Sequence, residues 1–132
     1  MSSLSFSKQI QQETDAIIQK GNKAVIKVSK GMWRVAVDST PRDTGRAKNG
    51  WRLNTGQGSG LIPAMGKYGT PKVPNFTFDF KKEPVIRLYN NVPYISYLEH
   101  GQGQGSRYPY KMLFKAGVYY TANMQRELNK IK

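Results

Sequence analysis

The sequence predicts an α+β fold, in which a small antiparallel β-sheet is packed by a long N-terminal helix and a C-terminal helix. Apolar residues recur at spacings of three and four from about Phe6 to Asp38 and again from Tyr110 to Lys132, as one face of a helix requires. Residues 46–54 and 76–80 alternate between apolar and polar, which is typical of strands in a half-buried sheet. We therefore expect a single α+β domain over residues 1–132.

The first predicted helix has an apolar face and a basic face. The apolar face carries Thr14, Ile18, Gly21, Val25, Val28, Met32 and Val35. The basic face carries Lys20, Lys23, Lys27, Lys30 and Arg34. No acidic residue falls between Ala16 and Val37, whereas ordinary surfaces mix charges of both signs. The basic face is therefore either a solvated surface or a contact for a polyanion or an acidic partner. The helix is expected to end at Thr40–Pro41, since proline lacks a backbone N–H.

Three strands are predicted after this helix. The first, residues 46–54, has one face made of Ala47, Asn49, Trp51 and Leu53. Trp51 is the largest of these side chains, so we expect it to be buried and structural. The second strand, residues 76–80, and the third, residues 85–89, are separated by a turn at residues 81–84 and are expected to pair in antiparallel fashion.

A long loop, residues 56–75, is predicted between the first two strands. It is rich in glycine and proline, so it cannot form a regular element. The loop also contains the apolar side chains of Leu61, Ile62, Met65, Tyr68 and Val73. We expect it to be an arm that becomes ordered through contacts with neighbouring subunits, because burial of these side chains would offset the entropy lost on ordering. The alternative is a flexible surface loop.

Composition limits the classes of function. The formal net charge of +13 favours attraction to nucleic acid or to acidic protein surfaces. The absence of cysteine excludes disulfides, thiolate metal sites and cysteine nucleophiles. No apolar run is long enough to span a membrane, and the first residues lack the apolar core of a signal peptide. Assembly in the cytoplasm is therefore expected.

The sequence contains no enzymatic motif. His100 is the only histidine, so a metal site with several histidines is impossible. A hydrolase that uses His100 is the least supported alternative, because a general base also needs an oriented nucleophile. The glycine-rich tracts 56–60 and 101–105 lack the spacing of a dinucleotide fingerprint or a P-loop. We expect no catalytic residue, no cofactor and no metal.

Two short motifs carry the most specific signal. The first is Thr-Pro-Arg-Asp-Thr-Gly-Arg at residues 40–46, followed by Trp51. It predicts a tight turn, because Asp43 can accept a backbone hydrogen bond and Gly45 can adopt positive φ. The second, residues 93–101, reads Pro-Tyr-Ile-Ser-Tyr-Leu-Glu-His-Gly and predicts a short helix that ends at its glycine. Together the motifs resemble those of the tail-completion (neck) proteins of long-tailed bacteriophages, which pair TP-x-DTGRL-x-x-SW with YA-x-x-LE-x-G.

The family pattern carries over to this chain residue by residue. The matching positions are Thr40, Pro41, Asp43, Thr44, Gly45, Arg46, Trp51, Tyr94, Leu98, Glu99 and Gly101. Residues 107–116 are more loosely similar to a closing Pro-Phe-x-x-x-Ala segment of the family. The chain departs from the pattern at Ala47, Gly50, Ser96 and His100.

The resemblance implies a structural virion protein. In this family a small α+β subunit, used in a ring of about six copies, completes the tail and joins it to the head around the DNA channel. The implied partners are other neck and tail proteins, with no cofactor and no membrane. A different class stays open, in which the chain is a small basic nucleic-acid-binding protein without sequence specificity.

Two expectations follow for the charged residues. Within a neck, the basic face would meet either the DNA of the channel or an acidic neighbouring subunit. The neighbour is favoured, because a channel wall that gripped DNA would impede its ejection. We also expect Arg46 and Glu99 to pair, since the two motifs flank the same small sheet and carry opposite charges.

Overall fold

The chain begins with one long helix and ends with a second. The computed structural model describes residues 3–42, 45–55, 61–75, 77–82, 85–101 and 108–131. Its elements are α1 (Ser3–Ser39), α2 (Arg46–Asn49), β1 (Trp51–Asn54), β2 (Arg87–Asn90), α3 (Ile95–His100) and α4 (Met112–Ile131). The long helix at each end and the small antiparallel sheet confirm the predicted α+β class.

Helix α4 packs antiparallel against α1. In the first half of α4, the ring of Tyr119 lies so close to Gly31 that no Cβ atom would fit between them. Further along α4, Glu127 binds Lys27 with a distance of 2.9 Å between carboxylate oxygen and Nζ. With 37 residues against 20, α1 is longer than α4 by about 25 Å. Helix α1 therefore continues beyond the end of α4, and its residues 5–14 are all exposed.

The core lies where the second half of α1 meets β1 and the start of α4. Its buried side chains are Trp33, Ala36, Val37, Trp51, Leu53, Met112 and Ala116. The predicted apolar face of α1 is only partly buried, because Val28 is buried but Thr14 is exposed. Both β1 and α4 pack against α1. Ala24, Trp33 and Ala36 are buried although they lie outside the predicted apolar face, and such burial is not visible in a pattern that assumes one buried stripe.

Strands β1 and β2 form a two-stranded antiparallel sheet in which Trp51 lies opposite Asn90. The predicted phase of β1 is confirmed, since Trp51 and Leu53 are buried and Arg52 is exposed. Trp51 is only 2% exposed, as expected for a structural residue.

The predicted strand over 46–54 is wrong in its first half, because residues 46–49 form the short helix α2. Gly45 adopts a φ of 84°, a conformation that glycine tolerates best, and so lets the chain enter this helix directly from the turn. The sequence Arg-Ala-Lys then favours helix over strand, because all three residues are good helix formers.

The predicted strand over 76–80 is also wrong. Residues 77–79 have no regular structure, Phe80 begins a turn, and residue 76 lies outside the described residues. The backbone N–H of Phe80 donates to Asn22 Oδ1 on α1 at 3.0 Å. The backbone N–H of Phe80 therefore has a side chain of α1 as its hydrogen-bond acceptor, where a strand would have a neighbouring strand. The third strand, predicted over 85–89, is found at Arg87–Asn90, and its predicted pairing with the second strand is wrong because it pairs with β1.

Candidate functional site

The first motif is held by a buried hydroxyl at the end of α1. Thr40 Oγ1 donates to the carbonyl of Ala36 at 2.6 Å and accepts from Trp51 Nε1 at 2.8 Å. Trp33 Nε1 in turn donates to the Trp51 carbonyl at 3.2 Å. Thr40 is 2% exposed. The threonine of this motif therefore joins α1 to β1 inside the core.

Lys48 adds a second contact at the end of α1. Its Nζ donates to the carbonyl of Val37 at 2.7 Å, and this carbonyl also accepts from the backbone N–H of Thr40 at 3.1 Å. Partial burial lowers the pKa of Lys48 below its ordinary value. The contact fixes α2 against α1.

Gly45 is the residue of the first motif that only glycine can occupy. Its φ is 84°, and a Cβ atom there would lie 2.9 Å from the carbonyl oxygen of Tyr68. This close approach brings the predicted arm against the turn. Pro41 is half-buried, and Asp43 and Thr44 lie outside the described residues.

The second motif forms α3 and holds the start of α4. Gly101 ends α3 with a φ of 70°. The carboxylate of Glu99 accepts from the backbone N–H groups of Leu113 at 2.8 Å and Phe114 at 3.4 Å. These N–H groups lie in the first turn of α4, where no intrahelical acceptor exists and negative charge is favourable. Lys111, which precedes α4, has no side-chain acceptor, so Glu99 acts as the cap from a distant position in the sequence.

The two motifs lie beside each other, but the predicted pair between Arg46 and Glu99 is wrong. Among the described residues no ion pair joins them. The guanidinium of Arg46 lies 5.9 Å from the ring centroid of Tyr94, and its Nε donates to the Pro63 carbonyl at 2.9 Å. Asn90 Nδ2 also links the region, donating to the carbonyl of α2 residue 47 at 2.8 Å.

The described part of the predicted arm, residues 61–75, contains no helix or strand, and residues 56–60 lie outside the described residues. Four polar side chains from the motif region donate to its backbone carbonyls. These are Arg46 to Pro63 at 2.9 Å, Arg42 to Tyr68 at 2.9 Å, Asn49 to Gly69 at 2.9 Å and Asn91 to Leu61 at 3.0 Å. The arm is thus anchored through its main chain.

The apolar side chains of the same segment face solvent. The exposed fractions are 81% for Leu61, 57% for Ile62, 86% for Met65 and 43% for Val73. Tyr68 is half-buried, and its hydroxyl donates to the Ala64 carbonyl. A main chain that is anchored and side chains that are exposed together make an apolar surface with a defined position.

The basic face of α1 is divided by the structure. Lys27 binds Glu127 on α4, and this hydrogen bond lowers the pKa of the Glu127 carboxyl. The guanidinium of Arg34 lies 5.6 Å from the ring centroid of Trp33. Lys20 and Lys23 are exposed and form no ion pair with any described residue, whereas Lys30 is half-buried. The part of the face that is free for a partner is therefore smaller than the sequence pattern indicates.

The side chain of His100 has no hydrogen-bond or ion-pair partner among the residues that the structure describes. His100 ends α3 and is exposed. Within the described ranges, no cluster of three or more histidine, aspartate or glutamate residues could hold a metal ion. In that same part of the chain, no helix is long and apolar enough to cross a membrane.

Comparisons of the chain with known protein families, with curated proteins and with solved structures find no match. Sequence reasoning identified Gly45, Arg46, Trp51 and Glu99 but missed the asparagines that hold the arm and the turn. Their clustering beside turns is a usable signal, since asparagine side chains often bond to backbone groups where regular structure ends.

Proposed function

We propose that the chain is a structural subunit of a bacteriophage neck, which completes the tail and joins it to the head in a ring around the DNA channel. The observation that carries the proposal is the anchored arm. Arg46 of the first motif and Asn91, just before the second, both bind its carbonyls, while Ile62 and Met65 stay exposed. Arg46, a residue that matches the neck family, thus helps to position an apolar surface.

Such a surface favours a protein that works in an assembly. Contiguous exposed apolar area on a soluble domain usually marks a site of protein contact. The backbone of the arm is already bound, so part of the ordering entropy that binding normally costs is lost on folding instead. Burial of a side chain such as Met65 against a neighbour then contributes about 1.5–3 kcal/mol at best.

The remaining motif residues support a structural role. Thr40, Trp51 and Glu99 all bind groups within the chain, in the core or at the start of α4. A motif whose members stabilise the fold and hold an arm fits a subunit of a virion better than an enzyme.

The test separates folding from joining. Residues 61–75 are replaced by a few Gly-Ser residues, and the variant is examined by circular dichroism and in an assay that joins tails to filled heads. We expect a folded protein that no longer supports joining. The matched control is Lys67→Ser with Lys72→Ser, which alters exposed polar residues of the same arm and should join normally. Normal joining by the shortened variant would reject the role of the arm.

The location of the subunit is tested on particles. A labelled subunit should appear by electron microscopy at the junction of head and tail. Label found only inside the capsid or only in the unassembled fraction would contradict the proposal.

A second candidate function is nonspecific binding of nucleic acid. It is favoured by the net charge of +13 and by the exposed Lys20 and Lys23 on α1. Lys20→Glu with Lys23→Glu leaves the Lys27–Glu127 contact intact, and Lys67→Glu with Lys72→Glu is the control of equal charge change. If the candidate holds, wild-type binding to random duplex DNA falls steeply with salt, and only the α1 variant loses more than the control.

A further inference from the structure

The outer face of α4 is an apolar groove. It is lined by Leu113, Phe114, Gly117, Val118, Thr121 and Ala122. Its three large side chains are exposed: Leu113 by 47%, Phe114 by 64% and Val118 by 56%. The small residues between them leave a shallow depression that suits the ridge of a second helix. This face is turned away from α1, which packs on the side of α4 that carries Met112 and Ala116.

The rim of this groove is basic. Lys111 and Lys115 are exposed beside it, and the Nζ of Lys111 lies 5.8 Å from the ring centroid of Phe114. The one acidic residue in the described sequence of α4 is Glu127, which binds Lys27 and Lys130. A helix that fits the groove should therefore be apolar along one side and carry an acidic residue.

The N-terminal part of α1 has that pattern. Phe6, Ile10 and Ile17 are 58%, 48% and 56% exposed. At 100° per residue they lie within a narrow sector of the helix, and Glu13 lies on the same sector between them. Glu13 is exposed and forms no ion pair with a described residue. We call this set of four side chains the α1 stripe.

The stripe cannot reach the groove of its own chain. Gly31 marks the point of α1 that lies against Tyr119, in the same part of α4 as the groove. The distance along α1 from Ile10 to Gly31 is about 30 Å. Contact between stripe and groove must therefore join two molecules.

We propose that the α1 stripe of one copy docks into the α4 groove of a second copy. Apolar side chains then cover each other, and Glu13 meets the basic rim at Lys115. The contact is heterologous in this proposal: the first copy keeps a free groove and the second keeps a free stripe, so that further copies can add. This inference deepens the proposed function by naming the contact between subunits. It rests on the proposed function only in one respect, namely that successive contacts close into a ring.

The experiment uses two exposed positions, one on each surface. Ile10→Asp places a charge on the stripe, and Val118→Asp places one in the groove. Gln12→Asp is the control, because it makes the same charge change on another side of α1. Circular dichroism establishes that each protein is folded, and sedimentation measures its mass at physiological ionic strength. The full chain is used throughout.

The wild type and the Gln12→Asp control should form oligomers. Each of the two interface variants should be monomeric, with a loss of association of at least about 30-fold, as expected for a central apolar contact. When the two variants are mixed, they should form a dimer and nothing larger. The Ile10→Asp chain still offers its groove, and the Val118→Asp chain still offers its stripe.

Three results would overturn the proposal. They are a wild type that stays monomeric, an Ile10→Asp variant that assembles as well as wild type, and a mixture of the two variants that stays monomeric. The second result would show that the stripe is not the occupant of the groove, and the third would show that the two surfaces do not bind each other. Failure here is separate from failure of the proposed function, because the latter is judged by the position of the labelled subunit in particles.

Discussion

Replacement of Thr40 by valine should destabilise the protein although it conserves the shape of the side chain. The hydroxyl connects the last turn of α1 to the first residue of β1, and it lies in the core at 2% exposure. Valine keeps the branched shape but can neither donate nor accept a hydrogen bond. Thr40→Val therefore leaves the indole N–H of Trp51 and the carbonyl of Ala36 without this partner.

The expected size of the effect follows from these contacts. An unpaired buried donor or acceptor costs about 1–3 kcal/mol, and here two such groups lose a partner. The additional buried methyl group of valine offsets about 1 kcal/mol. We expect the free energy of unfolding to fall by about 3 kcal/mol, which is a large share of the stability of a domain of this size.

Urea unfolding, followed by tryptophan fluorescence, measures this change directly. Thr40→Ser is the matched control, because it keeps the hydroxyl and loses only a methyl group, at a cost of about 1 kcal/mol. If Thr40→Val were as stable as the wild type, or more stable than Thr40→Ser, the hydroxyl would not have the role that its geometry indicates.

Four further outcomes are expected. Gly21→Ala should raise the free energy of unfolding by about 1 kcal/mol, because nothing occupies the space around its Cβ position and alanine is the better helix former. Gly31→Ala should lower the free energy of unfolding, because the ring of Tyr119 on α4 occupies the position of the added Cβ atom. Thermal unfolding of the two alanine variants measures both effects. Glu99→Ala should lower the free energy of unfolding by about 1 kcal/mol, because the cap of α4 is lost. Glu99→Gln should lower it less, since an acceptor oxygen remains. Equal losses for the two variants in chemical denaturation would contradict this expectation. The Lys27 hydrogen bond holds the pKa of Glu127 below its ordinary value, so its stabilising effect is present near neutral pH and lost as pH falls through the acid range. Glu127→Gln should therefore make Tm less sensitive to acid, and an unchanged profile of Tm against pH would refute the effect.

The long helices and the phase of β1 could be predicted from periodicity, because each has an apolar face over several residues. The short elements could not. Residues 46–49 alternate as a strand does, yet the entry angle set by Gly45 makes them helical. The sequence alternates phenylalanine with polar residues over 76–80, but the backbone N–H of Phe80 donates a hydrogen bond to Asn22 on α1. That contact spans more than fifty positions and leaves no local trace in the sequence.

The candidate site was predicted as a set of residues but not as a set of contacts. Glu99 and Arg46 have opposite charges and belong to neighbouring motifs, so a pair was the simplest expectation. The start of α4 competes for Glu99, since its unpaired N–H groups bind a carboxylate well. Arg46 bonds to the arm instead. Which partner Glu99 and Arg46 each bind depends on how the fold places α4 and the arm, and this is not visible in the sequence.

The distribution of exposed apolar side chains favours a subunit with several partners. The arm near Met65 is anchored to the motif region, whereas the α4 groove and the α1 stripe around Ile10 lie elsewhere on the molecule. If stripe and groove join copies of the chain, the arm is left available for a different neighbour. A ring that connects a head to a tail needs both kinds of contact. The two proposals are therefore compatible, and they predict that Ile10→Asp abolishes self-association while leaving the exposed surface of the arm unchanged.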